Sequence, residues 1–467
     1  MRERRADHLA GLVDARLVGD PAKDVGPDVV IDSRAATPGS LFVALPGEHA
    51  DGHDFATRAV AAGAGAVLVT RELPLDVPQL VVADTLAALA ALGTAIAAEG
   101  AAAGMVTIGI TGSSGKTSTK DLVAQVLGGA GETVAPVGSF NNEIGVPLTA
   151  TRVTPRTRFL VSELGARGQG HITWLCGIVP PRVGVVVNVG HAHLGEFGSV
   201  EAIAQAKGEL VEALPADGWA VLNADDALVS AMACRTSARL ATFSTTGEPG
   251  WGALRVWASD ITADERQRPA FTLHADGATA SVHLRVSGMH QVSNALAAAA
   301  VALTQGLAVD QVAAALSTAE ARSHWRMELV ERPDGVLVVN DAYNANPDSM
   351  AAALRTLASL RRPDGRLLAV LGDMLELGPD APEQHRAVGA LAAELGVDAL
   401  VAIGAHAHDL AAGYGPATML APDRGIATDA AAAWLRPADV VLVKASRGLG
   451  LETVAEQLSA PPEGGPR

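Results

Sequence analysis

The chain has 467 residues, of which 49% are hydrophobic and 18% are charged, so wholesale disorder is excluded. This length predicts about three domains. The formal net charge of −16 argues against a nucleic-acid-binding protein, which needs a basic face. The two cysteines exclude a disulfide framework. The N-terminus lacks the apolar core of a signal peptide, and the longest apolar run, at 86–98, is too short to span a membrane. We therefore expect a cytoplasmic protein without a membrane span.

The first domain is predicted to cover residues 1–103 and to have a small α/β fold. Its short apolar runs, for example at 40–45 and 66–70, predict strands, and a helix-length segment lies between those two. The alanine-rich stretch at 85–103 predicts a helix that leads into the next domain.

The second domain is predicted to cover residues 104–321 and to contain a parallel sheet like that of phosphate-loop ATPases. The nearly continuous apolar run at 183–190 is typical of a parallel strand that is covered on both faces. Residues 251–288 instead alternate between apolar and polar, which predicts an antiparallel extension of that sheet.

The third domain is predicted to cover residues 322–467 and to be a Rossmann-like, doubly wound sheet. Four apolar runs in it are separated by helix-length segments, the pattern of strands that alternate with helices. Asp341, Asp373 and Ser446 follow three of these runs. The carboxyl ends of parallel strands are where such sheets bind ligands, so these side chains are candidates for a binding site.

A glycine-rich segment between an apolar strand and a helix is the clearest chemical motif. Backbone N–H groups of such a loop cradle phosphates, the lysine adds a charge, and the hydroxyl after it binds Mg²⁺. Ile110 stands where the strict pattern has its first glycine, and Gly109 comes one residue early. The alternative, a chance Gly/Ser turn before a helix, fits this context poorly. We therefore predict a nucleotide-phosphate site formed by Thr111, Gly112, Ser113, Ser114, Gly115, Lys116 and Thr117.

Three further residues follow predicted strands of the same domain. Glu163 ends an apolar run and is a candidate Mg²⁺ ligand, although a solvated glutamate at a strand end is equally plausible without the loop. His191 and His193 follow the run at 183–190, where a histidine binds a metal or donates to phosphate. For His191 we favour an ordinary loop histidine.

Lys207 falls where a predicted helix should be apolar. Two interpretations stay open. The side chain extends its ammonium group to solvent, which periodicity alone favours. Otherwise it is buried with a lowered pKa, and its neutral amine reacts with CO₂ to form a carbamate that binds a second Mg²⁺. The apolar stripe around it consists of Val200, Ile203, Ala204, Leu210, Val211 and Leu214.

Specific motifs recur along nearly the whole chain. They are DSR at 32–34, PGSLFVALPGEHADGHDF at 38–55, TGSSGKTS at 111–118, SFNNEIGVPLT at 139–149, AHLGEFGS at 192–199, AKGEL at 206–210, NDAYNANPDSM at 340–350, GDMLELG at 372–378 and SRGLGLE at 446–452. In combination they resemble the Mur ligases, the ATP-dependent amide-bond ligases of peptidoglycan synthesis. The resemblance is strongest to the branch that joins D-alanyl-D-alanine to UDP-N-acetylmuramoyl tripeptide through an acyl phosphate.

The resemblance implies ATP and two Mg²⁺ ions as reaction partners. The loop through Ser118, with Lys116 and Thr117, would hold the ATP phosphates and Mg²⁺. Glu163 and His193 would bind the metal between ATP and the substrate carboxylate, and Lys207 would be a carbamylated lysine. Residues implied to contact the rest of the nucleotide are Asn294 near the adenine and Arg326 and Asp341 at phosphate and ribose.

The resemblance also implies where the other substrates bind and that the protein is a monomer. Ser33 and Arg34 would lie near the UDP end of the acceptor. The other implied substrate contacts, mainly to the incoming dipeptide, are Asn142, Asn344, Asn346, Ser446 and Arg447.

The chain departs from the family pattern at three positions. Gln291 stands where asparagine is usual, which weakens the adenine assignment, and Trp325 stands where glycine is common. Ala445 replaces the usual glycine before Ser446, which restricts that loop.

Three other functions are weighed against this one. The sister ligase that adds diaminopimelate or lysine usually carries a DNPR-like motif, whereas residues 344–350 here read NANPDSM. Folylpolyglutamate synthase lacks the DSR-type first domain. A phosphate-loop switch that makes no bond needs no second metal ligand such as Lys207. Whether the third residue of the acceptor is diaminopimelate or lysine stays open.

Overall fold

The computed structural model describes residues 1–47, 50–190 and 194–460, without the side chains of Leu194 and Glu196. Within them, strands form three large sheets of five, nine and six strands, with a separate two-stranded ribbon. The sheets follow one another along the chain, and helices pack against them. The predicted fold of three α/β units is confirmed.

The first sheet has the order β2-β7-β6-β5-β4, parallel except that β2 pairs antiparallel with β7, and β1 and β3 form the ribbon. The strands of the first unit, ribbon included, are β1 (Arg4–Arg5), β2 (Arg16–Val18), β3 (Asp24–Val25), β4 (Val29–Val30), β5 (Leu41–Val43), β6 (Ala66–Val69) and β7 (Gln79–Val81). Its helices are α1 (Ala6–Leu12), α2 (Ala56–Ala61) and α3 (Thr85–Ala102).

Helix α3 is the predicted connecting helix. It begins at Asp84, whose side chain accepts hydrogen bonds from the first helical N–H groups. By length and composition alone α3 would pass for a membrane-crossing helix, but 50% of it is buried inside the protein. Gly93 lies so close to Pro147 that a Cβ on it would be 2.8 Å from the proline Cα. The helix is therefore packed directly on the second unit.

Replacing Gly93 with valine is expected to lower the free energy of unfolding by about 1–3 kcal/mol, because the new side chain overlaps Pro147. Urea unfolding measures the effect. The matched control is Gly11→Ala in α1, where a Cβ meets nothing within 4 Å and stability should rise by about 0.5–1 kcal/mol. Equal stability of the Gly93→Val variant and the parent would contradict this tight contact.

The second sheet has the order β16-β15-β14-β13-β12-β11-β8-β10-β9 and is parallel from β9 to β14. Only β15 and β16 add antiparallel, so the extension is confirmed, but its first strand, β14, still pairs parallel with β13. The strands are β8 (Val106–Thr111), β9 (Thr133–Val134), β10 (Phe159–Glu163), β11 (Val183–Val186), β12 (Trp219–Asn223), β13 (Arg239–Ser244), β14 (Leu254–Ala263), β15 (Pro269–Ala275) and β16 (Ala278–His283).

The helices of the second unit cover both faces of its parallel part. They are α4 (Lys116–Gly128), α5 (Gly145–Ala150), α6 (His171–Ile178), α7 (Leu194–Phe197), α8 (Val200–Glu212), α9 (Ala227–Ser230), α10 (Gln291–Thr304) and α11 (Val309–Thr318). Gly109 belongs to this packing and not to the phosphate loop. A Cβ on it would lie 3.0 Å from the Leu210 side chain of α8.

The third sheet has the order β17-β18-β22-β19-β20-β21, and all of it is parallel except β17. Its strands are β17 (Glu328–Glu331), β18 (Leu337–Asn340), β19 (Leu367–Leu371), β20 (Ala399–Ile403), β21 (Thr418–Ala421) and β22 (Val440–Lys444). Its helices are α12 (Pro347–Ser359), α13 (Ala381–Glu394), α14 (Ala407–Tyr414), α15 (Arg424–Trp434) and α16 (Glu452–Ser459).

Hydrogen bonds fix the third unit against the second. The N–H of Ser323 donates to Oδ2 of Asp121 on α4 at 3.1 Å. The N–H of Gly195 donates to the carbonyl of Glu376 at 3.0 Å. The carboxyl ends of the two parallel sheets thereby line one cleft.

Candidate active site

A cleft of about 770 Å³ lies where the three units meet. The first unit contributes Ile31 to its wall, and the other two contribute polar side chains. Most of the residues predicted from the sequence come together here. Those that line the cleft are Ser113, Ser114, Gly115, Lys116, Thr117, Ser118, Asn142, Glu163, Lys207, Asn294, Arg326, Asp341, Asn344, Asn346, Ser446 and Arg447.

The phosphate loop connects β8 to α4, as predicted. Gly115 has φ of +78°, and a Cβ on it would lie 2.4 Å from Oδ1 of Asn294, so glycine is required on both grounds. Helix α4 begins at Lys116, whose Nζ donates to the carbonyl of Gly112 at 2.7 Å. Burial lowers the pKa of Lys116 and Arg326 adds to that effect, whereas the Glu163 carboxylate opposes it. The loop therefore presents a helix N-terminus and a cation to the cleft.

Asn188, which the sequence analysis missed, holds this loop from the neighbouring strand. Its Oδ1 accepts the N–H groups of Ser113 at 3.0 Å and Ser114 at 2.9 Å. Its Nδ2 donates to Oγ of Ser114 at 3.0 Å. The signal was present, because Asn188 interrupts the apolar run that continues β11 beside β8.

Glu163 ends β10 with only 1% of its surface exposed. The Thr117 hydroxyl donates to its Oε2 at 2.9 Å. The Ser139 hydroxyl and the Asn141 amide donate to its Oε1 at 3.1 Å and 2.8 Å. The interpretation as a solvated strand-end glutamate is therefore wrong. A buried carboxylate beside a hydroxyl is a hard oxygen pair of the kind that suits Mg²⁺.

Lys207 lies on the buried side of α8 with 3% of its surface exposed, so the interpretation with a solvent-exposed ammonium is wrong. Burial and the nearby charge of Lys116 hold the pKa of its amine well below the usual range. Within residues 1–47, 50–190 and 194–460 it makes no hydrogen bond or ion pair. Neutral amine chemistry is therefore available at this position.

His191 and His193 lie outside the described residues. Among the residues that are described, no group of three histidine, cysteine or acidic side chains could hold a metal ion. Thr117 and Glu163 are candidate oxygen ligands within the described residues.

Asn294, on helix α10, packs against the phosphate loop and the first turn of α4. Its Oδ1 accepts the Thr119 hydroxyl at 3.2 Å, and its Nδ2 donates to Oε1 of Gln291 at 2.9 Å. The unusual Gln291 therefore orients Asn294 from within the same helix, α10.

The third unit contributes a second buried lysine that the sequence analysis missed. Nζ of Lys444 donates to Oδ2 of Asp341 at 2.7 Å and to the carbonyl of Asn344 at 2.8 Å. Oδ1 of Asp341 accepts the N–H of Met327 at 3.1 Å. Lys444 stands at the end of the apolar strand β22, which is the signal that would have found it.

Several of the predicted polar side chains accept hydrogen bonds from backbone N–H groups of segments around the cleft. The Asn346 side chain caps α12 through the N–H of Ser349 at 2.9 Å. The Asn142 side chain accepts the N–H of Gly145 at 2.9 Å at the start of α5. Oγ of Ser446 accepts the N–H of Leu375 at 2.9 Å.

Some candidates do not reach the cleft. Thr111 is buried, and its hydroxyl donates to the carbonyl of Leu164 at 2.9 Å. Ser33 is buried and accepts Nε of Arg58 at 2.8 Å, while Arg34 pairs with Asp32 at 2.6 Å. Gly112 and Asp373 also lie outside the wall. Asp373 instead accepts the N–H groups of residues 405 and 406 ahead of α14.

These features define a protein of three α/β units with a phosphate loop on the wall of the cleft where the units meet. Three family models match the chain: the Mur ligase family catalytic domain at 28–107, the Mur ligase middle domain at 110–302 and the Mur ligase glutamate ligase domain at 325–447. The chain belongs to the Mur ligase family, a family of ATP-dependent ligases.

Named relatives and solved structures resemble nearly all of the chain. The UDP-N-acetylmuramoyl-tripeptide–D-alanyl-D-alanine ligase of Mycobacterium tuberculosis is 49% identical and covers 96% of both chains. A crystal structure of MurF from Acinetobacter baumannii has a TM-score of 0.86 at 31% identity, covering 98% of this chain and 99% of that one. MurF ligase from Thermotoga maritima in complex with ADP has a TM-score of 0.78 at 29% identity, covering 92% and 97%.

Proposed function

We propose that this enzyme joins D-alanyl-D-alanine to UDP-N-acetylmuramoyl tripeptide with the hydrolysis of ATP to ADP and phosphate. The observation that carries the proposal is the single cleft in which Lys116, Glu163 and Lys207 of the second unit face Arg447 of the third. The full-length likeness to ligases named for this reaction supports the choice of substrates. The product would be the pentapeptide precursor of peptidoglycan.

ATP is the nucleotide that we assign to the phosphate loop, and the ADP complex of the Thermotoga relative supports this. In this assignment the N–H groups at the start of α4 and Lys116 hold its phosphates, and Asn294 lies near the adenine. Arg326 and Asp341 reach phosphate and ribose from the third unit. The dipeptide is received mainly by Ser446 and Arg447 together with Asn142, Asn344 and Asn346. Ser33 and Arg34 lie toward the UDP end of the acceptor.

Thr117 and Glu163 would hold one Mg²⁺, because they present a hydroxyl and a carboxylate oxygen 2.9 Å apart. His193 and a carbamate formed on Lys207 complete the proposed set for two ions. Mg²⁺ bound there would neutralise phosphate charge. The chain's own contribution is to orient these oxygen ligands and to exclude water around a carboxylate that is 1% exposed.

The reaction proceeds in two steps. An oxygen of the tripeptide's terminal carboxylate attacks the γ-phosphorus of ATP, and the bond to ADP breaks, which gives an acyl phosphate. The amine of D-alanyl-D-alanine then attacks the acyl carbon, loses a proton and expels phosphate. The first step brings two anions together, so the positive charge of Lys116 and the helix N-terminus stabilises its transition state. Closure of the cleft over the substrates would keep the acyl phosphate from water.

We also propose domain boundaries at 103/104 and 321/322, supported by the end of α3 at Ala102 and the start of β17 at Glu328. We propose that the protein is a monomer, as its resemblance to the family implies. A reaction that consumes ATP supports a cytoplasmic location.

The function is tested by measuring the release of phosphate from ATP in the presence of Mg²⁺. We expect release only when UDP-N-acetylmuramoyl tripeptide and D-alanyl-D-alanine are both present, with a pentapeptide product by mass spectrometry. Parallel reactions contain the dipeptide acceptor with diaminopimelate or lysine. Release only in those reactions would identify the sister ligase instead. Steady ATP hydrolysis without any acceptor would indicate a switch.

A further inference from the structure

Two arginine side chains on the third-unit wall of the cleft lie over aromatic rings. The guanidinium of Arg326 lies 4.2 Å from the centroid of the Tyr343 ring. The guanidinium of Arg447 lies 4.2 Å from the centroid of the Trp325 ring and 6.0 Å from that of Tyr343. Both rings are half-buried, so these cation–π contacts are partly desolvated.

The backbone ties the two rings to each other. The N–H of Tyr343 donates to the carbonyl of Trp325 at 3.2 Å. Trp325 has φ of +60°, a conformation that favours glycine over an aromatic residue. A strained tryptophan at a position without a core role indicates that its ring is needed where it lies.

Within the described parts of the chain, the contact with the Tyr343 ring is the one that orients the guanidinium of Arg326. Its Nε is buried without a hydrogen-bond partner, and within the described parts of the chain it makes no ion pair. It is close enough to the phosphate loop to act on the charge of Lys116. Arg326 and the phosphate loop line the same cleft, so its guanidinium is within the site where a nucleotide phosphate would lie.

Arg447 is oriented differently. It pairs with Glu452 at 2.7 Å and follows Ser446 at the end of β22, beside Asn344 of the cleft wall. A guanidinium held by a ring on one face and a carboxylate at one edge keeps its remaining donors aligned for a second carboxylate.

We propose that Tyr343 and Trp325 are positioning residues that serve two different substrates: Tyr343 orients Arg326 toward the nucleotide phosphates, and Trp325 orients Arg447 toward the carboxylate of the incoming dipeptide. This inference rests on the proposed function for the identity of the substrates. Each ring acts through its arginine.

Paired substitutions separate the two rings. Tyr343→Leu removes one ring, and Tyr343→Phe is its matched control because it keeps the ring. Trp325→Gly removes the other ring and suits the positive φ, and Trp325→Phe keeps an aromatic face. Thermal melting of each variant identifies loss of folding.

We expect Tyr343→Leu to raise the KM for ATP and the Kd for ADP, measured by calorimetry, about tenfold while the KM for D-alanyl-D-alanine stays within about twofold. Trp325→Gly should do the reverse, raising the KM for the dipeptide about tenfold. The two phenylalanine variants should retain most of the parent's affinity.

Equal effects of each variant on both substrates, or no effect on either, would overturn the proposal. Absence of dipeptide-dependent phosphate release in the parent would instead overturn the proposed function. In that case, calorimetry of ADP binding to the parent and to Tyr343→Leu still tests whether Tyr343 orients Arg326 toward the nucleotide phosphates. If the parent does not bind the dipeptide, the claim that Trp325 orients Arg447 toward the dipeptide carboxylate is overturned.

Discussion

Replacing Lys207 with alanine is expected to lower ligase activity by about 10³-fold, because it removes the buried amine from which the proposed carbamate forms. Burial holds the pKa of this amine well below its usual range, so the neutral form that reacts with CO₂ is more populated than in an exposed lysine. Activity is measured as phosphate release, with and without added short carboxylates, which should restore part of it.

The matched control for this prediction is Gln205→Ala, an exposed position on the same helix, which should retain the parent's activity. The pH dependence of stability gives a second readout. The folded protein binds fewer protons at Lys207 than the unfolded chain does, so stability should rise with pH between the lowered folded pKa and the ordinary unfolded pKa. Lys207→Met should lose that dependence. Full activity of Lys207→Ala would refute the assignment.

Replacing Lys120 with methionine is expected to lower the free energy of unfolding by about 3–5 kcal/mol, because it leaves a buried carboxylate without its cation. Lys120 is 1% exposed on α4. Its Nζ lies 2.6 Å from Oδ1 of Asp121 and donates to the carbonyls of Pro136 and Gly138, each at 3.0 Å. Denaturant unfolding measures the loss.

An exposed lysine provides the comparison for this second prediction. Lys23→Met in the first unit should change the free energy of unfolding by less than about 0.5 kcal/mol. If both variants unfold at the parent's urea concentration, the buried ion pair contributes no net stability. Activity of the folded Lys120→Met variant should also fall, since the carbonyls it holds precede Ser139 and Asn141, which donate to Glu163.

The fold could be predicted largely because apolar runs separate clearly along this chain. Strands with both faces buried, such as β11, have a nearly continuous apolar sequence, and the alternating residues of β15 and β16 indicate strands with one exposed face. The parallel pairing of β14 could not be predicted. Alternation reports that one face of a strand is exposed, and it does not report the direction of the neighbouring strand.

The residues of the candidate site also differ in how well the sequence predicts them. The phosphate loop and Glu163 follow strands directly, so local sequence predicts them. Asn188 and Lys444 stand out as polar residues within or at the end of apolar runs, but their partners lie far away along the chain. Local sequence therefore does not show which groups they bind. Periodicity located Lys207 but favoured the wrong environment, because it cannot tell a buried lysine from one that reaches solvent.

The hydrogen bonds between Asn188 and the phosphate loop affect the entropy of nucleotide binding. The N–H groups of Ser113 and Ser114 already have an acceptor, so the loop is ordered before a nucleotide arrives. Ordering a flexible loop costs about 1–2 kcal/mol of conformational entropy per residue, and a preformed loop avoids that cost on binding. The free donors are those of the first turn of α4, whose N–H groups have no acceptor within the helix. Nucleotide affinity in this protein is therefore built into the folded state.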